Sequence, residues 1–228
     1  MARGSFIVLE GVEGAGKSTQ MTLLSRWMHG LGVPHILARE PGGTPVGEAI
    51  RGIVLDRGEL AMPPETELFL ILAARAAFVR DVVCPALERG AVILADRFDF
   101  STFAYQGYGR GLDLQELRRA NTMATGGVSP DLTLVLDIPV AEGLARKRLQ
   151  GAEGDRIERE GEPFLTRVRE GYITLVRKEP GARLLDASGT RENLQEEIRR
   201  VLRDAFPGTF LGDGVQESGE GGSPSKKR

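Results

Sequence analysis

Gly11-Val12-Glu13-Gly14-Ala15-Gly16-Lys17-Ser18 is the stretch that decides the fold. It fits G-x-x-x-x-G-K-[ST], and its surroundings fit as well: a short β-branched, apolar run at 6–10 precedes it. Behind it, 19–30 carries Met21, Leu24, Trp27 and Met28 at helical spacing, and Gly30 and Gly32 act as stop signals. Glycines allow successive backbone N–H groups to turn inward, and a helix N-terminus adds partial positive charge, so such a loop cradles phosphate. In this pattern Lys17 is expected to reach the β and γ oxygens, and the Ser18 hydroxyl to ligate Mg²⁺. The bland alternative is a glycine-rich strand-to-helix turn that binds nothing.

Working outward, apolar runs at 35–38, 91–95, 132–136 and 183–185 read as further strands. Helical patterns fall at 46–55, 65–87, 112–125, 140–149, 163–178 and 191–205, with Pro85 expected to kink the longest near its end. Short apolar strands alternating with helices predict an α/β fold of the P-loop NTPase type. It has three layers: a five-stranded parallel sheet with helices on both faces. One domain is expected over 1–211. The Gly-, Ser-, Glu- and Lys-rich 212–228 has almost nothing to bury and is expected to be a disordered tail.

Composition removes other classes. The 228 residues carry a net charge of −2, so no global field draws in nucleic acid or an anionic membrane, and phosphate must be held by local cations. One cysteine, Cys84, and two histidines, His29 and His35, exclude an internal disulfide and a multi-histidine metal centre. No stretch approaches 18 continuous apolar residues, and the expectation is a cytoplasmic protein without membrane or nucleic-acid partners.

The phosphate loop does not name a reaction, because GTPases, transport ATPases and small-molecule kinases share it. No N-K-x-D guanine-reading motif is present. Four blocks in order discriminate: Phe6–Gly11 with the loop, Arg39-Glu40-Pro41-Gly42-Gly43-Thr44, Asp96-Arg97 followed by Ser101 and Ala104-Tyr105-Gln106-Gly107, and Asp155-Arg156-Ile157-Glu158. With these the chain resembles the thymidylate kinase family from about 6 to about 198.

The resemblance implies transfer of the γ-phosphoryl of ATP to dTMP, with Mg²⁺ as cofactor and a homodimer as the assembly. On the donor side it implies Gly11, Val12, Glu13, Gly14, Ala15, Gly16, Lys17, Ser18 and Thr19, with Arg146 against the adenine. On the acceptor side it implies Arg97 and Arg51 on the phosphate, and Arg75 on the thymine edge. Pro41, Ser101, Tyr105 and Gln106 are implied to line base and sugar, with Tyr105 crowding the 2′ carbon. Glu10 is matched to a carboxylate near the sugar 3′-OH and the metal, and Asp96 to a Mg²⁺ partner, directly or through water. The chain departs from the family where an aromatic residue usually stacks on the base: Ile71 stands there, and Phe69 is about 200° away around the helix.

From Arg146 to Arg169 there are six arginines and one lysine, broken by Gly151, Gly154 and Gly161. A charged helix surface is the ordinary reading, yet the glycines suit a lid at 150–161. The loop contains no arginine. The resemblance is therefore to the lid-arginine type found in bacteria, with Arg156 as the catalytic arginine beside Lys17 and Arg97, and Arg148 as a second. Two other readings stay open: a kinase for another nucleoside monophosphate or a nucleoside, and a non-catalytic nucleotide-binding module.

Overall fold

The structure, a computed structural model, describes residues 3–56, 61–149 and 156–211. The expected tail at 212–228, the first part of the expected lid at 150–155, and Asp155 lie outside the described residues.

Five strands form one parallel sheet: β1 (Phe6–Glu10), β2 (His35–Arg39), β3 (Val92–Asp96), β4 (Leu132–Asp137) and β5 (Ala182–Asp186), in the order β2-β3-β1-β4-β5. Every residue of β1 is buried, as its unbroken apolar run requires of a central strand covered on both faces. The chain winds from β1 to β2 and β3 on one side, then to β4 and β5 on the other. The carboxyl end of β1 is thus where the winding reverses, the place where open α/β sheets leave a crevice.

Register makes that crevice a site. Leu9 lies opposite Asp96, and Arg39 lies opposite Asp96 from the other side. The three strands end within one residue of one another, so Glu10 at the end of β1 emerges together with Gly11, Glu40-Pro41 and Arg97, which follow the strands.

The helices are α1 (Lys17–Gly30), α2 (Pro45–Val54), α3 (Pro64–Phe78), α4 (Cys84–Glu88), α5 (Asp99–Thr102), α6 (Leu114–Thr125), α7 (Val140–Leu149), α8 (Glu162–Lys178), α9 (Arg191–Ala205) and the short α10 (Pro207–Phe210). Capping explains several starts. Thr44 accepts from the Gly47 N–H at the head of α2, Asp113 from Gln115 and Glu116 at α6, and Thr190 from Asn193 at α9. A core of Ile7, Leu9, Leu24, Met28, Leu94 and Leu134 lies on one side of the sheet and one of Phe6, Val8, Ile93, Phe78 and Phe98 on the other, as alternation along buried strands dictates.

Two expectations are corrected. The long helix expected at 65–87 is not one helix: a wider π-helical stretch, Val79–Val83, separates α3 from α4. Pro85 has no N–H to donate back, and the chain relieves the mismatch in the turn before it instead of bending at the proline. The segment between β3 and α6, given no element from its sequence, is helical from Asp99 to Gly109: α5 runs into a second π-helical stretch, Phe103–Gly109. That widened turn carries Tyr105 and Gln106. Among the described residues no helix is long and apolar enough to cross a membrane.

Candidate active site

A cavity of about 320 Å³ opens at the carboxyl ends of β1, β2 and β3. It is lined both by the glycine loop, through Glu13, Gly14, Gly16, Lys17, Ser18 and Thr19, and by the wall that contains Pro41, Arg51, Ile71, Arg75 and Gln106. Asp96, Arg97, Ser101 and Tyr105 line it as well. Val12 and Ala15 turn their side chains into the core beneath the loop.

The loop is built by close backbone approach. Gly14 has φ +76°, and a Cβ there would lie 2.1 Å from the Gly143 carbonyl oxygen of α7. A Cβ on Gly143 would in turn lie 2.3 Å from the Glu13 carbonyl oxygen. The helix that leads toward the expected lid is therefore seated directly on the phosphate loop, through a crossing only two glycines allow. Lys17, almost fully buried, donates from Nζ to the Gly11 and Val12 carbonyls at 2.8 and 3.2 Å. Burial, with the positive Arg97 nearby, pushes its ammonium down to about 8.

Arg97 follows β3 with φ +75°, an uncommon conformation for a residue with a Cβ. Its surroundings over-determine it. The backbone N–H donates to Leu9 O at 2.9 Å, while Nη1 reaches Ser101 Oγ and the Tyr172 hydroxyl, and Nη2 reaches Glu13 Oε1 and the Tyr105 hydroxyl. The guanidinium carbon also sits 4.9 Å from the Tyr105 ring centre. Burial raises the Glu13 carboxyl, but Arg97, Lys17 and the Tyr105 hydroxyl outweigh it and hold the group below its ordinary value. Asp96 Oδ1 is buried and, among the described residues, has no hydrogen-bond partner.

Glu10, expected near the metal and the sugar, is bonded within the protein. Its carboxylate is 0% exposed and accepts four hydrogen bonds: Phe98 N and Ser101 N on Oε1, Ser101 Oγ and the Tyr172 hydroxyl on Oε2. A carboxylate so bonded orders the turn after β3.

Arg75 answers a question raised by its sequence, an arginine in an apolar helix. Its side chain is 1% exposed and its acceptors are protein groups. Nε donates to Glu40 Oε2, Nη1 to Thr102 Oγ1 and Asn121 Oδ1, and Nη2 to Phe98 O, at 2.8 to 2.9 Å. Four of five N–H vectors are thus used within the protein, and the residue still lines the cavity. Glu40, which sequence reading passed over, is the counter-charge. Burial pushes its carboxyl up to about 7, against the opposing influence of Arg75, and its Oε1 has no partner among the described residues. Ile71 lies one turn before Arg75 beside Ile50, Val54 and Ala74, and Ile157 packs on that cluster and also lines the cavity.

Arg51 donates to Pro41 O at 3.0 Å and faces the cavity, where burial and Arg39 hold its guanidinium below the ordinary value. The other lid-side arginines do not line the cavity. Arg146 binds Ala187 O, Ser188 O and Glu142, and Arg148 is exposed. Arg156 donates from Nε to Val54 O at 3.0 Å and pairs with Glu67. The expectation that Arg156 faces Lys17 is not met in this arrangement, because a buried carboxylate holds it elsewhere. Lys147, which sequence reading did not single out, lines the cavity instead.

Of the groups missed, Glu67 had a signal: with Ile71 and Arg75 it makes an i, i+4, i+8 row on one face of α3. Tyr172 had none, since its partners Glu10, Arg97 and Ser101 are brought to it only by folding.

Comparison with known proteins bears on the family and the fold. A family profile described as thymidylate kinase matches residues 9–198. A thymidylate kinase of Desulforudis audaxviator is 46% identical over 207 residues, covering 88% of this chain and 93% of that protein. One of Pseudomonas fluorescens is 48% identical over 200 residues, covering 87% and 95%. The crystal structure of a thymidylate kinase from Ehrlichia chaffeensis superposes with a TM-score of 0.72 at 27% identity, covering 88% of this chain and 99% of that one.

Proposed function

The chain belongs to the thymidylate kinase family and is a phosphotransferase that passes the γ-phosphoryl of ATP to dTMP, and we infer that the cavity between the glycine loop and α3 is where the two nucleotides meet. The observation that carries this reading is that Lys17 and Ser18 share one cavity with Arg97, Arg51 and Arg75. A donor triphosphate held by the loop and an acceptor phosphate held by two arginines then point at each other.

The chemistry needs cations more than a base. The second pKa of a phosphate monoester is about 6, so the dTMP phosphate is mostly dianionic at neutral pH. Its oxygen attacks the γ-phosphorus without losing a proton, and the bond to the bridging oxygen of ADP breaks. The difficulty is aligning two polyanions. Lys17, Arg97 and Arg51 offset their repulsion, and Lys17 meets charge gathering on the bridging oxygen. The arginines suit this because a fork of donors matches phosphate oxygens. Glu13 and the Tyr105 hydroxyl set the Arg97 fork before substrate arrives.

At the acceptor base, Arg75 has one Nη2 N–H left for the thymine edge. Gln106, Ser101, Tyr105 and Pro41 form the polar and steric frame, and Ile71 with Ile157 supplies apolar contact in place of an aromatic stack. The donor set also fits Mg²⁺: a serine hydroxyl at the end of the loop and a buried carboxylate oxygen, Asp96 Oδ1, with no hydrogen-bond partner among the described residues. Ser18 and Asp96 would hold the ion, directly or through water, and it would neutralise charge on the β- and γ-phosphates.

Arg156 is the arginine we assign to the donor phosphates during transfer, and Arg146 and Arg148 remain on the donor side of the same reading. We read 1–211 as one kinase domain acting in the cytoplasm as a homodimer. The support for a second copy is apolar exposure on two adjoining helices: Phe69 of α3 and Met123 of α6 are 66% and 86% exposed.

Coupled ADP release from ATP-Mg²⁺ across a panel of nucleoside monophosphates tests the assignment. The expected order has dTMP best and dUMP poorer. Preference for AMP, CMP, UMP or GMP would remove the acceptor reading, and release that no monophosphate stimulates would leave only a binding module.

A further inference from the structure

Glu67 lies on α3 with a side chain 1% exposed, and its carboxylate is bonded on both oxygens. Its Oε1 accepts from Gln106 Nε2 at 2.8 Å and from Arg110 Nε at 3.2 Å. Its Oε2 accepts from Arg110 Nη2 at 3.0 Å and, at very short range, from Arg156 Nη2. Arg110 in turn reaches Glu160 at 2.5 Å and lies 4.8 Å from the Phe164 ring centre. The charges therefore form a row, Glu160–Arg110–Glu67–Arg156, with the two ends on the segment before α8 and the two middle members on the body.

We infer that Glu67 is a positioning residue for the kinase reaction: it holds Arg156 away from the donor phosphates and releases it when the acceptor site is filled. The inference rests on the assignment of Arg156 to phosphoryl transfer.

The layout makes release cheap. Breaking a buried ion pair is costly chiefly because it strands a charge in the interior. Here departure of the end members together leaves Glu67 with Arg110, doubly hydrogen-bonded and neutral, and Gln106 still satisfied. The two departing row members, Arg156 and Glu160, carry one positive and one negative charge. Neither side strands a charge, so the contact can open and close.

The location supplies the link to the acceptor. Gln106 and Ile157 both line the cavity, the first bonded to Glu67 and the second adjacent to Arg156 in the chain. Occupation of that wall by a nucleoside bears on both ends of the Glu67–Arg156 contact. The benefit is chemical: an arginine delivered to ATP without an acceptor would favour attack by water, which yields ADP and inorganic phosphate.

The test measures ADP release with and without dTMP in wild type, Glu67→Gln, Arg156→Ala and the double variant. Replacing the carboxylate by an amide removes the negative partner and leaves the guanidinium bonded to a neutral acceptor, a difference worth about tenfold in the held-to-free ratio of Arg156. The expected result is a rise of about tenfold in acceptor-independent ADP release in Glu67→Gln, which disappears when Arg156→Ala is added. A merely structural role would lower both activities and raise neither. If Glu67→Gln does not fold, Glu67→Asp withdraws the carboxylate by about 1.5 Å, one carbon–carbon bond, while keeping the charge Arg110 needs, and should show the same rise. Acceptor-independent release that stays level or falls in the folded variants, or a rise that persists without Arg156, overturns the inference. Normal dTMP-dependent turnover in Arg156→Ala alone would instead remove the assignment of Arg156.

Discussion

Removing the guanidinium of Arg75 should cost this protein more stability at pH 8 than at pH 6. Arg75→Ala strips four hydrogen bonds from an interior site and leaves Glu40, 3% exposed, without its counter-charge. Breaking one side of a buried pair costs about 3–5 kcal/mol. For a chain of this size each kcal/mol lowers Tm by roughly 2–4 °C, so a fall of about 6–20 °C is expected. The pH dependence follows from Glu40. Burial, the largest influence, has pushed its carboxyl up to about 7 even with Arg75 present. A carboxyl raised in the folded state contributes stability that is full below its unfolded value and is lost as pH rises through the folded value. Without Arg75 the folded value climbs further, so above pH 7 the variant carries one more proton than wild type. The cost of the substitution then grows by up to about 1.4 kcal/mol per pH unit. Below pH 6 both proteins hold the proton and the difference levels off. Thermal or urea unfolding of both proteins at pH 6, 7 and 8 measures this directly. A Tm unchanged by the substitution would refute the buried network, and an equal loss at every pH would refute the role given to Glu40.

Lys17, pushed down to about 8, should make kcat/KM for ATP fall as pH rises through that value, since this ratio reports the free enzyme; a level profile to pH 9.5 would show the ammonium staying charged. Gly143→Ala places a Cβ 2.3 Å from the Glu13 carbonyl oxygen, and the displaced helix should cost about 1–3 kcal/mol and weaken ATP binding. Unchanged ATP affinity by calorimetry would mean that α7 does not support the loop. Arg97→Lys keeps one charge but loses the fork that reaches Ser101, Tyr172, Glu13 and Tyr105, and kcat should drop by about 10²-fold or more. Turnover within a factor of a few of wild type would take Arg97 off the acceptor phosphate.

What was legible in the chain beforehand has a common physical character. The loop from Gly11 to Ser18 announces itself because glycine, lysine and serine at fixed spacing answer a local demand, backbone turned inward on phosphate. The five strands are legible because burial on both faces demands continuous apolar runs, and the helices because their caps and periods are local too. Other features depend on residues far apart in the chain. Arg75 was visible as an anomaly, but Glu40, Thr102 and Asn121, which satisfy it, are 35, 27 and 46 residues away. Glu10 stands at a strand end, and only folding brings it Tyr172 and the turn after β3 as partners.

Taken by itself, the amino-acid order determined the parallel sheet, the phosphate loop and the set of arginines from which the acceptor site is drawn. Those are consequences of periodicity, backbone freedom and side-chain charge, all readable within a few residues. Tertiary structure alone decided which arginines face the cavity and which are held by carboxylates. A guanidinium reaches several ångströms from its backbone, and its direction is set by whichever acceptor the fold brings within hydrogen-bond distance. Arg97 is turned inward by Glu13 and two tyrosines; Arg156 is drawn to Glu67 across 89 residues of chain.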